Sequence, residues 1–246
     1  MMRVVEVQSL GEVEYSRGLD LQSHLVVCRR NAEVPDQLLL LEHPHVITQG
    51  TGSHPEHLLL SAEELEGRGI QLHPAGRGGD VTYHGPGQLV GYPILDLKPH
   101  RKDLHRYLRD LEEVIILTLA HFGLEGVREE GRTGVWCQGG KVAAMGVRVS
   151  SGWITSHGFA LNVAPDLTYF ETIVPCGIRD RKVTSMAALL AGAPVWEEVT
   201  DAVVSAFGTV FEARMERTEG SVTRPKTRGE CLPGNPGNGP SSPAGS

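Results

Sequence analysis

The chain has no run approaching the roughly 20 apolar residues that a bilayer-crossing helix needs. Its start, Met1-Met2-Arg3-Val4-Val5-Glu6-Val7, meets a glutamate before an apolar stretch can form, which is unlike a secretory leader. These absences set the expectation of a soluble, cytoplasmic protein that does not engage a membrane. Cysteine is scarce: Cys28, Cys137, Cys176 and Cys231 are scattered, with no C-x-x-C pair. That excludes a disulfide-dense secreted scaffold and the paired spacing of a structural zinc site. The pairs His43-x-His45 and His54-x-x-His57 come without a matching Cys, Asp or Glu set, so no metal is expected. Neither G-x-G-x-x-G nor G-x-x-x-x-G-K-[ST] occurs, leaving nucleotide binding without specific support. Positive charge is in deficit, with 23 Lys and Arg against 30 Asp and Glu, a net charge of −7. No bulk field therefore invites nucleic acid.

What is present suits one domain with a substantial core: 246 residues, of which 40% are hydrophobic. Val4 to Val7 alternates as a strand does, and a mixed helical pattern runs from about Val13 to Arg30, with Leu19, Leu21, Leu25, Val26 and Cys28 as core positions. The apolar run Gln37 to Glu42 reads as a buried strand, with a helix turn left open by periodicity alone. His43 to Gly52 reads as turns, and Ser61 with Glu64 has the spacing of a capping box. After a glycine-rich loop, Gln88 to Leu97 is strand-like. Leu104, Leu108, Leu111, Ile115, Leu119 and Phe122 recur at spacings of three and four, predicting a helix over Asp103–Phe122 closed by Gly123. Gly131 to Val163 predicts antiparallel strands, with turns at Gly139-Gly140 and Ser150-Ser151-Gly152. A last amphipathic helix is expected from about Trp196 to Met215. Such a mixture predicts an α+β domain. The domain is expected to span residues 1–218. Residues 219–246 carry five prolines and six glycines and are expected to be a disordered tail.

Three segments carry chemistry. The first runs Arg77-Gly78-Gly79-Asp80-Val81-Thr82-Tyr83-His84-Gly85-Pro86-Gly87-Gln88. Its glycines let backbone approach a ligand, and its polar side chains can orient one, although such a loop can also merely turn the chain. In the second, Gly139 to Gly146, Lys141 is ordinarily a solvated residue, but beside a thiol it can favour thiolate and move a proton. The third is Ile173-Val174-Pro175-Cys176-Gly177-Ile178. A cysteine among apolar residues is usually inert core. Cys176, however, sits between proline and glycine and is followed closely by Arg179, Arg181 and Lys182. Cys28 and Cys137 fall on presumed core faces and Cys231 in the tail, so Cys176 is the candidate nucleophile.

Taken together the motifs go further. Arg77-Gly78-Gly79 to Thr82-Tyr83-His84, with Gly87-Gln88 and Tyr92, closely resembles the signature of the lipoyl(octanoyl) transferases of the biotin/lipoate protein ligase superfamily. Glu42-His43-Pro44 to Thr48-Gln49-Gly50, Gly134-Val135-Trp136, Gly140-Lys141-Val142, His157-Gly158-Phe159-Ala160-Leu161-Asn162 and Pro175-Cys176-Gly177 match in the same order. One small departure is Gly76, where a charged residue is common. The resemblance implies a single mixed-sheet catalytic domain with flanking helices. It implies octanoyl transfer from octanoyl-acyl carrier protein to a lysine of lipoyl domains, those of 2-oxoacid dehydrogenase E2 subunits and glycine cleavage H protein. Cys176 would carry the acyl group as a thioester, with Lys141 as its partner and no cofactor. Substrate contacts would come from Arg77, Gly78, Gly79, Asp80, Val81, Thr82, Tyr83 and His84, from Ala144, Met145 and Gly146, and from Gly158, Phe159 and Ala160. Arg179, Arg181 and Lys182 would guide the acidic carrier. An ATP-dependent ligase of the same superfamily, an acyl-binding module without chemistry and an amidotransferase between lipoyl domains are the competing readings.

Overall fold

The computed structural model describes residues 2–99, 102–174 and 182–218. Cys176, Arg179, Arg181 and the segment 219–246 lie outside the described residues. In chain order the elements are β1 (Arg3–Glu12), α1 (Tyr15–Arg30), β2 (Asp36–Glu42), β3 (Val46–Gln49), α2 (Ala62–Gly67), β4 (Gln71–Pro74), β5 (Val81–His84) and β6 (Gln88–Ile94). There follow α3 (Leu104–His121), β7 (Val135–Cys137), β8 (Gly140–Val149), β9 (Thr155–Asn162), α4 (Met186–Leu189), α5 (Trp196–Val210) and β10 (Ala213–Arg217).

A mixed seven-stranded sheet, ordered β10-β1-β2-β6-β9-β8-β7, forms the body, and a smaller sheet ordered β4-β3-β5 stands beside it. Strand β2 explains the leucine run: Leu38 and Leu40 pack on one face with α3 and α5, and Leu39 and Leu41 on the other with α1. A strand covered on both faces has no solvent side to make polar. Helix α3 is built as its spacing predicts. Asp103 caps it by accepting from the Arg106 N–H at 3.0 Å, and Gly123 takes the left-handed conformation beyond its end, at φ +73°. Leu111, Ile115 and Leu119 are fully buried, whereas Leu104 overhangs the core. The capping box of α2 is complete, Ser61 and Glu64 each accepting from the other's backbone N–H.

Three expectations need correction. The last helix stops at Val210. Glu212 adopts a positive φ of 51°, and the chain reverses into β10, which pairs in parallel with β1 from Arg3↔Ala213 onward. The stretch read as turns after His43 contains β3, and the glycine-rich loop contains β5. They pair with each other from Val46↔His84 to Gln49↔Val81.

Candidate active site

Between the small sheet and the large one lies a mostly apolar cavity of about 540 Å³, counting its mouth. The bulk of its wall comes from β5 and the loop before it, from β8 and β9, and from the first turn of α1. Of the residues singled out from the sequence, Arg77, Gly79, Asp80, Val81, Thr82, His84, Lys141, Ala144, Met145, Gly146, Gly158, Phe159 and Ala160 line it. Gly78 does not; its N–H donates to the Val147 carbonyl at 2.9 Å. Tyr83 does not either. It points into a separate cluster, stacked on Tyr169 with centroids 5.3 Å apart and bonded through its hydroxyl to His45 Nδ1 at 2.7 Å.

Lys141 reaches the cavity because β8 is irregular. Val135 pairs with Ala143 but Trp136 with Lys141, so one residue is extra. Val142 and Ala143 both enter the core on the α3 side, and the bulge returns Lys141 to the face shared by Ala144 and Gly146. The Lys141 ammonium stands 5.2 Å from the Trp136 ring centroid. Its backbone N–H donates to the Lys182 carbonyl at 2.9 Å, and its carbonyl accepts from Thr184 N–H at 3.0 Å. Residues 175–181, with Cys176, lie outside the described residues, but the chain on both sides is anchored at this wall. Val174 N–H donates to the His57 carbonyl at 2.8 Å, and His57 Nδ1 bonds Asp80 Oδ2 at 2.5 Å.

Arg77 is a buried brace. Its guanidinium donates to the carbonyls of Thr48 and Asp80, each at 2.7 Å, and to the Thr48 hydroxyl. Its stem crosses β8 where only a glycine fits: a Cβ on Gly146 would lie 2.9 Å from Arg77 Cδ.

Two histidines of the cavity wall, His84 and His157, and His43 packed against His84 are held neutral. Burial lowers His43 to about 4, His84 to about 3 and His157 to about 4. His43, then Arg77 and His157, add like-charge repulsion at His84, and Arg77 followed by Arg148 does so at His157. The tautomers of His43 and His84 follow from groups that can only accept. The Val13 carbonyl, 2.5 Å from His43 Nδ1, requires Nδ1–H there, so Nε2 accepts from the Tyr92 hydroxyl at 2.7 Å. The Thr184 carbonyl accepts from Asn162 Nδ2, so Asn162 Oδ1 accepts from Gln88 Nε2. Gln88 Oε1 then takes the proton of His84 Nδ1 at 2.6 Å, leaving His84 Nε2 a lone pair. This chain of bonds runs from the cavity wall to Thr184, whose N–H donates to the Lys141 carbonyl.

Tyr15 and Tyr92, both buried, and His157 complete the wall. Tyr15 was not legible as a site residue, because an aromatic in the first turn of a helix is ordinarily core. His157 has a positive φ of 55°, and its N–H is held by Gln22 of α1 at 2.7 Å. Strain of this kind in a non-glycine residue clusters at functional sites. Among the described residues no cluster of three or more His, Cys, Asp or Glu is placed to hold a metal. No described helix is long and apolar enough to cross a membrane.

The sequence pattern described as the lipoyl protein ligase A/B catalytic domain matches residues 14–208. An octanoyltransferase of Chloroflexus aggregans is 47% identical over 215 residues, covering 87% of this chain and 97% of that one. An octanoyltransferase of Solibacter usitatus is 50% identical over 214 residues, covering 87% and 96%. Among solved structures, a lipoate-protein ligase A bound with ATP superposes with a TM-score of 0.68 at 15% identity, covering 91% of this chain and 90% of that one. That last likeness is one of fold.

Proposed function

The chain belongs to the lipoyl protein ligase A/B catalytic domain family, and on that footing we propose that it moves an octanoyl group from acyl carrier protein to a lysine of a lipoyl domain through a thioester on Cys176. Octanoyl transfer in lipoate biosynthesis is the activity of this enzyme. The carrier as donor, the lipoyl domains of 2-oxoacid dehydrogenase E2 subunits and glycine cleavage H protein as acceptors, the cytoplasm as location and the two catalytic residues are the substance of the proposal. The catalytic unit is residues 1–218.

The observation that carries it is the apolar cavity with Lys141 in its wall, flanked by the anchored ends of the segment that holds Cys176. The Lys141 ammonium favours the thiolate. The thiolate adds to the carbonyl of the carrier thioester; the carrier C–S bond breaks, and the carrier's thiolate leaves with a proton from the Lys141 ammonium, which becomes neutral. The lipoyl-domain amine then attacks the acyl-enzyme carbonyl, a C–N bond forms and Cys176 departs as thiolate. The amine's proton passes to Lys141 in its neutral form. The alkyl chain lies along Ala144 and Ala160, whose small side chains leave room in the cavity wall. Burial contributes about 0.8 kcal/mol per methylene. Neutral imidazoles keep that surface compatible with hydrocarbon.

An acyl-adenylating ligase is the alternative on the same fold. Octanoyl-carrier protein with apo lipoyl domain and no nucleotide is expected to yield octanoyl-lysine, and octanoate with ATP but no carrier to yield none. The reverse pattern would overturn the proposal.

A further inference from the structure

We infer that Glu112 and Gly134 form a clamp that fixes the Lys141 ammonium, making Glu112 a positioning residue for octanoyl transfer although it does not line the cavity. The inference rests on the reading of Lys141 given above.

Glu112 lies in the middle of α3, fully buried among Leu111 and Ile115. Packing of the helix alone would be served by an apolar residue, since a buried carboxylate is costly unless it is paired. Its Oε2 accepts from Arg109 Nη1 at 2.7 Å and Arg128 Nε at 3.1 Å. Its Oε1 accepts from the Gly134 N–H at 3.0 Å. Two guanidiniums thus hold a carboxylate whose other oxygen holds the backbone of one glycine.

That glycine touches the lysine. Gly134 has a φ of +145°, which side-chain-bearing residues rarely adopt. A Cβ there would lie 2.6 Å from Lys141 Cε, 2.9 Å from the Ala143 carbonyl oxygen and 3.1 Å from the Trp136 ring. The aliphatic stem of Lys141 therefore rests on a bare α-carbon. Its ammonium faces the electron-rich Trp136 ring, 5.2 Å from the centroid. Trp136 is locked in turn: its N–H and carbonyl pair with Val127 at 2.9 and 2.8 Å. The next residue, Arg128, returns to α3 through Glu112 and Glu113. Both walls of the lysine's slot, glycine and indole, are tied to the same turns of α3. With Glu112 removed, the Gly134 strand end loses its tether and the ammonium its fixed place.

The test is competitive acetylation by acetic anhydride, with peptide masses reporting Lys141 against Lys98, whose side chain is 44% exposed. Glu112→Ala is expected to raise the Lys141 to Lys98 ratio several-fold. It should also lower kcat for octanoyl transfer by about a hundredfold, the order for a group misplaced by an ångström, with KM little changed. Glu112→Gln keeps a carbonyl for the Gly134 N–H and is expected to restore most of both. Should Glu112→Ala not fold, Arg128→Leu, which removes one of the two guanidiniums, should move the ratio in the same direction. An unchanged ratio in a folded variant overturns the clamp. A raised ratio with undiminished kcat supports the clamp and overturns the catalytic reading of Lys141 instead.

Discussion

Lowering the pH from 7.5 to 5.0 should strip this protein of a large part of its stability, through His43, His84 and His157. Folded values of about 4, 3 and 4 stand against about 6.5 for an unfolded chain. Between those limits the unfolded chain binds protons that the native state refuses, so unfolding becomes easier as the pH falls. The window opens near pH 6.5 and closes near 4 for two of the rings, lower for His84. A single such ring costs about 2 kcal/mol at pH 5.0 relative to 7.5, and all three about 6. Against a total of about 5–15 kcal/mol for a typical domain, that approaches collapse. The rings of His43 and His84 lie 5.8 Å apart, so a proton on one opposes a proton on the other. Urea unfolding at several pH values measures it. His43→Asn should remove about a third of the slope in the window, which for three protons is about 4 kcal/mol per pH unit. Stability that is flat between pH 7.5 and 5.0, or ring resonances of these histidines titrating near 6.5, would refute the reasoning.

Two further outcomes follow from packing. If the cavity holds the acyl chain as proposed, Ala160→Leu should fill it and remove a preference for octanoyl over butyryl donors; four methylenes at about 0.8 kcal/mol each make that on the order of a hundredfold in kcat/KM. Gly91→Ala places a methyl 2.1 Å from the Phe159 ring on the neighbouring strand, an overpacking that should cost about 1–3 kcal/mol, read as a lower melting temperature.

Elements whose own residues decide their environment were legible beforehand. The Leu38 to Leu41 run could only be a strand or helix covered on all sides, and the three-and-four spacing of α3 with Asp103 and Gly123 at its ends left little choice. β3 and β5 were not legible, because four-residue strands next to proline and glycine are held by their partners and carry no period of their own. β10 was misread for a related reason. Phe207, Phe211 and Met215 stand four apart in a helical rhythm, and only pairing with β1, at the far end of the chain, draws Ala213–Arg217 into a strand. In the site, the motif residues marked the cavity wall, but the bulge that turns Lys141 toward it arises from pairing with β7. Glu112 gave no signal because a carboxylate within a helix ordinarily faces water; its meaning lies in Gly134, 22 residues away.

The proposed transfer passes through an acyl group held by one thiol. Intact-mass and peptide analysis after mixing the enzyme with octanoyl-carrier protein tests that most directly. The expected result is one octanoyl adduct on Cys176, absent in Cys176→Ala, and discharged onto a lysine when apo lipoyl domain is added. An adduct that survives Cys176→Ala, or transfer at full rate without any adduct, would contradict it.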